Sequence, residues 1–334
     1  MRTASRWTIF QLALIGCLLL MGMPAQAVTL KLATIAPEGT ALTNALRATG
    51  DEIQQKTEGR VSLKVYPGGV MGNDAVVLRK IKLGQLQGGT FTSGGITSVD
   101  GNYQVLGMPM LLKNYAQVDQ ARAKFEPILT RGLGKNGFMS FGMVEAGFIY
   151  LMSNQPVEQP ADLKDHKVWV PEGDPVSRAV FEQAGVHPIP LPLPDVLTGL
   201  QTNLIDTVST SPVGAIVLQW FTKVNYLTEI PLLYSYGTLA IANDAWAKIA
   251  KQDQPLVREI LQREMSKVNQ QTRKDNEAAL QTLRKQGIKF VPITGDHLVA
   301  LQRIADDALA SLRGKNLFDY QLLEEVRKSV AGIQ

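Results

Sequence analysis

The sequence predicts an α/β protein of two lobes, each a mostly parallel sheet flanked by helices, with one long helix bracing both. Three observations predict it. In the stretch Pro160–Pro212, apolar runs at Lys167–Pro171, His187–Leu193 and Leu204–Thr210 alternate with helical patterns at Pro175–Ala184 and Val196–Thr202. Strands joined by helices of that length form a right-handed parallel βαβαβ unit. The same logic recurs between Val28 and Gly95. Finally, a helical pattern opens at Asp253 and Pro255 and runs to Gly287. At 1.5 Å per residue it is on the order of 50 Å long, more than one lobe needs.

The elements follow in order. Val28–Thr34 alternates apolar and polar residues, as a strand does. Thr40 starts a helix that ends before Gly59, Val61–Tyr66 is a strand that stops at Pro67-Gly68-Gly69, and Asn73 or Asp74 caps a helix closing on Gly84. Leu86–Thr92 is the third strand, ending in Ser93-Gly94-Gly95. Leu106–Lys113, with Met108 and Met110, reads as buried packing, with a methionine-lined pocket as the alternative. Val118–Leu133 is helical, and Gly137–Met143 and Gly147–Ser153 are strands, the second crossing between lobes. Asp174 caps the next helix, with Pro175 in its first turn and Gly185 past its end; Asp195 caps the one after. A helix at Gly214–Val224 precedes Tyr226–Leu239, which holds the second crossing. Asn243 or Asp244 caps a short helix; after the long helix come a strand at Lys289–Pro292 and helices at His297–Arg313 and Tyr320–Val330. The expected division is residues 28–146 with about 237–275 in one lobe, and 147–236 with about 276–334 in the other. Glu145–Tyr150 and Tyr234–Leu239 are then the hinge.

A chain of 334 residues, 45% of them hydrophobic, can build two cores of ordinary size. Residues 1–27 have the form of an export signal: Arg2 and Arg6, an apolar run Ile9–Met23, and the small-x-small pattern Ala25-Gln26-Ala27. Pro24 breaks the run, and no stop-transfer pattern follows. Leu14-Ile15-Gly16-Cys17 resembles a lipoprotein box, but the apolar run continues past the cysteine at Leu18–Met21. The expectation is a periplasmic protein cut after Ala27, with neither thiol nor disulfide, since Cys17 is the one cysteine. Without the two leader arginines the chain carries 32 basic and 30 acidic residues. That balance, with no clustered basic stretch, excludes a nucleic-acid partner.

Catalytic motifs are missing. The glycines at 84, 88, 89, 94 and 95 fit no nucleotide fingerprint, and no Gly-Lys-Ser/Thr follows them. They suit close approach of backbone to a strand or ligand. His166, His187 and His297 lack metal-ligand spacing, and Thr92-Ser93-Gly94-Gly95 is not a nucleophile elbow. Glu145, Glu172 and Asp206 could pair as carboxylates, but Asp206 in its apolar run suits local backbone hydrogen bonding. The reading is a binding protein with no enzyme activity, cofactor or metal. In open parallel sheets, ligands sit beyond the carboxyl ends of the strands, here Pro171–Asp174, Pro192–Asp195 and Ser209–Pro212.

Specific motifs carry a resemblance: YPGGVMGND at Tyr66–Asp74, KIKLGQLQGGTFTSGG at Lys80–Gly95, MPMLLKN at Met108–Asn114, SNQPVEQPADLKDHKVWVPEGDP at Ser153–Pro175, LQTNLID at Leu200–Asp206 and LQWFTKVNYLT at Leu218–Thr228. With them the chain resembles the periplasmic solute receptors of TRAP transporters, the DctP type. The resemblance implies a type II periplasmic-binding fold, closure on a small organic anion, and integral membrane partners of two subunits. The expected ligand wall is Glu38, Ser93, Glu145, Phe148, Tyr150, Trp169, Glu172, Ser209, Thr210, Trp220 and Tyr234. At three positions the chain departs from the family pattern. Trp169 stands where members carry a carboxylate-clamping arginine, Ile149 at a second basic position, and Thr210 at an asparagine position. Trp169 should face away from Val168 and Val170; its indole either lines the cleft, stacking on an apolar solute, or packs under a neighbouring helix. A sensor or efflux-accessory protein using the same fold is the alternative function.

Overall fold

The computed structural model describes residues 27–333. The expected leader, including Cys17, lies outside them apart from residue 27. In chain order the strands are β1 (Val28–Thr34), β2 (Val61–Tyr66), β3 (Gly88–Thr92), β4 (Phe138–Ser153), β5 (Trp169–Pro171), β6 (Ile189–Leu191), β7 (Thr207–Thr210), β8 (Tyr226–Thr228), β9 (Leu233–Ala242) and β10 (Lys289–Val291). The helices are α1 (Ala41–Lys56), α2 (Asp74–Lys82), α3 (Tyr115–Lys135), α4 (Pro175–Gln183), α5 (Val196–Gln201), α6 (Pro212–Val217), α7 (Asn243–Trp246), α8 (Gln254–Lys285), α9 (Asp296–Ser311) and α10 (Tyr320–Val330). Thr40, Asn73 and Asp174 cap their helices as expected, each side-chain oxygen accepting from an amide of the first turn. Asp195 does not: its backbone is already helical and its carboxylate makes no capping bond.

Parallel units flank an antiparallel centre. Eight strands form one sheet in the order β10-β8-β4-β9-β3-β1-β2, with β7 pairing β4 from outside that path. β1 pairs parallel with β2 and β3, and β10 with β8. β4 and β9 run antiparallel to each other and to their other neighbours. The two strands expected at Gly137–Met143 and Gly147–Ser153 are one strand, β4, so the sheet is continuous across the molecule. β5 and β6 make a separate parallel pair, touching β7 through the Val168–Thr207 bridge. Gly88 and Gly89 explain the glycines beside β3: a Cβ on either would overlap a carbonyl of the adjoining strand, Ala240 or Ala33. They serve close strand packing.

β4 is irregular where it passes between the two ends. Its register with β9 shifts between Ser140 and Met143 and again between Glu145 and Gly147, where Gly147 adopts φ 95°. Such breaks leave ladder groups unpaired. Glu126 of α3 accepts from the Met143 amide at 2.7 Å, and helix α8 supplies further partners. Asn269 accepts from the Glu145 amide at 2.8 Å and donates to the Met143 carbonyl at 2.7 Å. Seven residues on, about two turns, Asn276 donates to the Ala146 carbonyl at 3.0 Å and accepts from Val213 N at 3.1 Å. The apolar residues of α8 from Val257 to Val268 join the core around β1–β3, and Leu283 joins the core around Trp169 and Trp220. The 32-residue helix therefore braces both ends.

Glu145 is wholly buried at this break, and Arg273 of α8 clasps it with two hydrogen bonds of 2.8 Å. Arg122 of α3 approaches the same carboxylate, and Arg273 reaches on to Asp119. Arg273 also lies over the Tyr115 ring, 4.4 Å from its centroid. Burial, aided by Glu145, pushes the Tyr115 hydroxyl up to about 12. Removing one partner of a buried ion pair strands the rest. Glu145→Ala should cost about 3 kcal/mol or more in urea unfolding, with Asp119→Ala, an exposed partner, costing about 1 kcal/mol or less. Equal costs would show that the cluster gains nothing from burial.

Candidate functional site

The carboxyl ends of β1–β3 face those of β5–β7, and the two rims touch. Asn73 donates to Glu172 at 3.3 Å, and Gly69 lies against Pro194. Along one side, Val176 and Ala179 of α4 join the same core as the β1–β3 side chains. Asp174 holds the start of α4, accepting from Val176 N at 3.0 Å, Ser177 N at 3.1 Å and Ser177 Oγ at 2.6 Å.

The expected wall residues separate into distinct settings. Glu38 and Glu172 are exposed at the rims, and Glu38 pairs with Arg47, which holds its carboxyl below the usual range. Ser93 is half-buried at the end of β3, its amide bonded to the Tyr236 carbonyl. Glu145 is no ligand contact; it is enclosed in the ion cluster behind β4. Phe148 and Tyr234 are buried with ring centroids 5.7 Å apart, and Tyr234 stacks on Tyr236. The Tyr234 hydroxyl is buried without a partner, and burial drives its ionisation well above the ordinary range. Tyr150, half-buried, packs against both cores.

Trp169 needs a correction. It does face away from Val168 and Val170, which lie in a different apolar cluster. Its indole is not offered to a solute, however. The ring is 4% exposed and meets Trp220 edge to face at 5.3 Å, and Nε1 donates to the Leu191 carbonyl at 3.0 Å. An indole has one donor, and β6 takes it. Thr210 lies on the same face of β7 and is also buried. Asp206 accepts from Lys167 N and Thr207 Oγ1, the local bonding its apolar run suggested.

The opposite face of β4 and β7 borders a small apolar chamber with a free volume of about 80 Å³. Its floor is Ile149, Leu151, Leu233 and Ser209; α4 contributes Val180 and Phe181, and α9 contributes Leu301, Ile304 and Ala305. Pro109 and Met110 close it from the β1–β3 side. The LGMPMLLK run thus does both things its methionines suggested, since Met110 is buried and lines the chamber. The α9 side chains could not be assigned from sequence, because periodicity shows that a face is apolar but not what it meets. Among the described residues, no three His, Cys, Asp or Glu side chains gather to hold a metal ion.

Asp74 was legible only as a possible cap. Asn73 takes that role, and Asp74 is buried behind it, accepting from Thr92 N at 3.0 Å and Thr92 Oγ1 at 2.7 Å. Burial raises its pKa despite both bonds. Below the ordinary carboxylate value of about 4, folded and unfolded chains both hold this proton. Above it the unfolded chain releases the proton first, so stability is lost as pH rises through the folded value. Asp74→Asn keeps an acceptor for Thr92 and removes that loss. Its stability relative to wild type should increase from about pH 4 upward and then level off. A difference independent of pH would show that Asp74 titrates as an ordinary carboxylate.

Residues 32–315 match the family model described as bacterial extracellular solute-binding protein, family 7, DctP. A solute-binding protein of Roseobacter denitrificans is 28% identical over 236 residues, 70% of this chain and 72% of that one. A TRAP periplasmic solute binding protein from the same organism, with bound L-galactonate, superposes with a TM-score of 0.80 at 23% identity, covering 90% of this chain and 99% of the other. One from Desulfovibrio salexigens, with bound orotic acid, gives a TM-score of 0.79 at 18% identity, covering 91% and 99%. The matched span takes in the parallel units, the irregular crossing strand and the bracing helix, and the chain belongs to the DctP family of TRAP periplasmic solute-binding receptors.

Proposed function

We propose that this receptor binds a small organic solute poorer in charge than a sugar acid or dicarboxylate, and hands it to the two membrane subunits of a TRAP transporter. One observation carries the solute class. The two positions at which the resemblance implies basic side chains hold Trp169, buried in an apolar core, and Ile149, partly buried on the floor of the apolar chamber. Neither can meet a carboxylate. An acid group on the solute must rely on amides and hydroxyls, and the rest of the solute is apolar or aromatic. The Desulfovibrio protein of this fold has bound orotic acid, a ring acid, which supports the aromatic part of this reading. With its family made of solute-binding proteins, the chain acts by binding and release, without chemistry.

In this reading, residues 28–146 with about 237–275 form one lobe, and 147–236 with about 276–334 the other. They close about Glu145–Tyr150 and Tyr234–Leu239, the paired segments of β4 and β9 where the register shifts. The export-signal form of residues 1–27 and the family's periplasmic character support a periplasmic location in this reading.

Loss of a charge-assisted clamp costs about 1.5–3 kcal/mol, roughly ten- to a hundredfold in affinity. In a thermal-shift panel, succinate, malate and sialic acid should give little response, and aromatic or hydrophobic acids a larger one. Tight dicarboxylate binding would refute the solute class. Small-angle scattering at saturation with a binding solute should show compaction, and an unchanged radius there would rule out closure.

A further inference from the structure

A second opening lies at the end of the sheet opposite the cleft. β9 stops at Ala242, beside Gln87 and the start of β3, whereas the cleft begins where β3 ends, past Thr92. At that far end, the second half of α3, the first residues of β4, Asn243 and the first turns of α8 border an open groove of about 460 Å³. Arg131 and Arg258 line it, and no aspartate or glutamate does.

Such a lining departs from the habit of this chain. Among the described residues, arginines as a rule pair with a carboxylate, as Arg60, Arg263 and Arg327 do. Arg79, Arg131, Arg258 and Arg313 form no such pair there, and two of these four share this groove. Arg258 is half-buried. Its guanidinium lies over the Trp246 ring, 5.4 Å from the centroid, and Nη2 contacts Met139 Sδ at 3.0 Å. The indole face and the thioether fix the plane of the fork but are weak acceptors. A guanidinium has five N–H donors, so most of those on Arg258 are left for solvent or a solute.

The neighbouring polar groups supply acceptors. Thr130 Oγ1 donates to the Glu126 carbonyl at 2.9 Å, and Asn243 Nδ2 to the Gly134 carbonyl at 3.1 Å. The Thr130 oxygen and the Asn243 amide oxygen remain to receive a proton from outside. Cations beside such acceptors suit an anion that also carries hydroxyl groups.

We infer that this groove binds a phosphate ester of a small polyol. The phosphate takes Arg131 and Arg258, and the polyol's hydroxyls donate to Thr130 and Asn243. A carboxylate has two oxygens, which one guanidinium fills. A phosphate monoester has three terminal oxygens and close to two charges, enough for both arginines. A free polyol phosphate and the glycerophosphate headgroup of a phospholipid share this chemistry. The groove stands apart from the cleft, so the inference does not rest on the receptor reading.

Calorimetric titration of the full mature chain at low salt tests it. Glycerol 3-phosphate should bind at a single site, glycerol should not bind, and acetate should bind weaker by roughly tenfold or more. Arg131 is exposed, so Arg131→Met leaves folding intact; it should weaken the ester about fivefold. Arg258→Met keeps a side chain over Trp246 and should weaken it about tenfold. Arg258→Lys keeps the charge but loses the fork, and should recover only part of that loss. Co-sedimentation with phosphatidylglycerol vesicles, lost in Arg131→Met, would identify the ester as a headgroup; binding of the free ester alone would identify it as a soluble compound. Absence of both, or ester affinity unchanged in Arg131→Met and Arg258→Met, would overturn the site. Acetate bound as tightly as the ester would overturn the phosphate class.

Discussion

The structure depends on how one strand is held while it is out of register. β4 must cross the molecule, pair with β9 along most of its length and still change register twice. A break of that kind exposes amides and carbonyls that no neighbouring strand can reach. Asn269 and Asn276 reach them from α8, Glu126 of α3 accepts from the Met143 amide, and Arg273 of α8 pairs with the buried Glu145 carboxylate. The strand can be irregular there because the helix beside it is regular. Polar groups on one face of α8 thus sit amid its apolar residues, and each is matched to a specific backbone atom or charge.

That arrangement explains what the sequence disclosed. Strands and helices on local patterns were legible: the caps at Thr40, Asn73 and Asp174, the parallel run of β1–β3, and the length of α8. Their signals lie within a few residues of one another. The continuity of β4 was not legible, because Gly142 and Gly147 interrupt the alternation that marks a strand. Glu145 read as a possible ligand contact for a similar reason. Its partners Arg122 and Arg273 lie 23 and 128 residues away, and no local pattern announces them.

The site shows the same division. Alternation put Trp169 on the correct face of its strand, yet alternation cannot say whether a face meets solvent or another side chain. Trp220, fifty-one positions on, covers the ring. Likewise the chamber is made by bringing the Met110 loop, the start of β9 and two helices together, and each alone reads as ordinary core. What the resemblance implied was subtraction. On that resemblance, tryptophan, isoleucine and threonine stand where polar contacts are expected, and in the structure Trp169 is buried among apolar side chains while Ile149 borders the apolar chamber.

The backbone at Met110 has a mechanical meaning. A left-handed conformation costs a residue with a Cβ about 1–2 kcal/mol, and it persists only while its surroundings enforce it. The enforcing contact is the hydrogen bond from Met110 to the Leu232 carbonyl, which ties the loop to the start of β9. Anything that draws the loop away from Leu232 lets Met110 relax to an ordinary conformation and returns the stored strain. The loop therefore keeps its shape only while the start of β9 stays beside it.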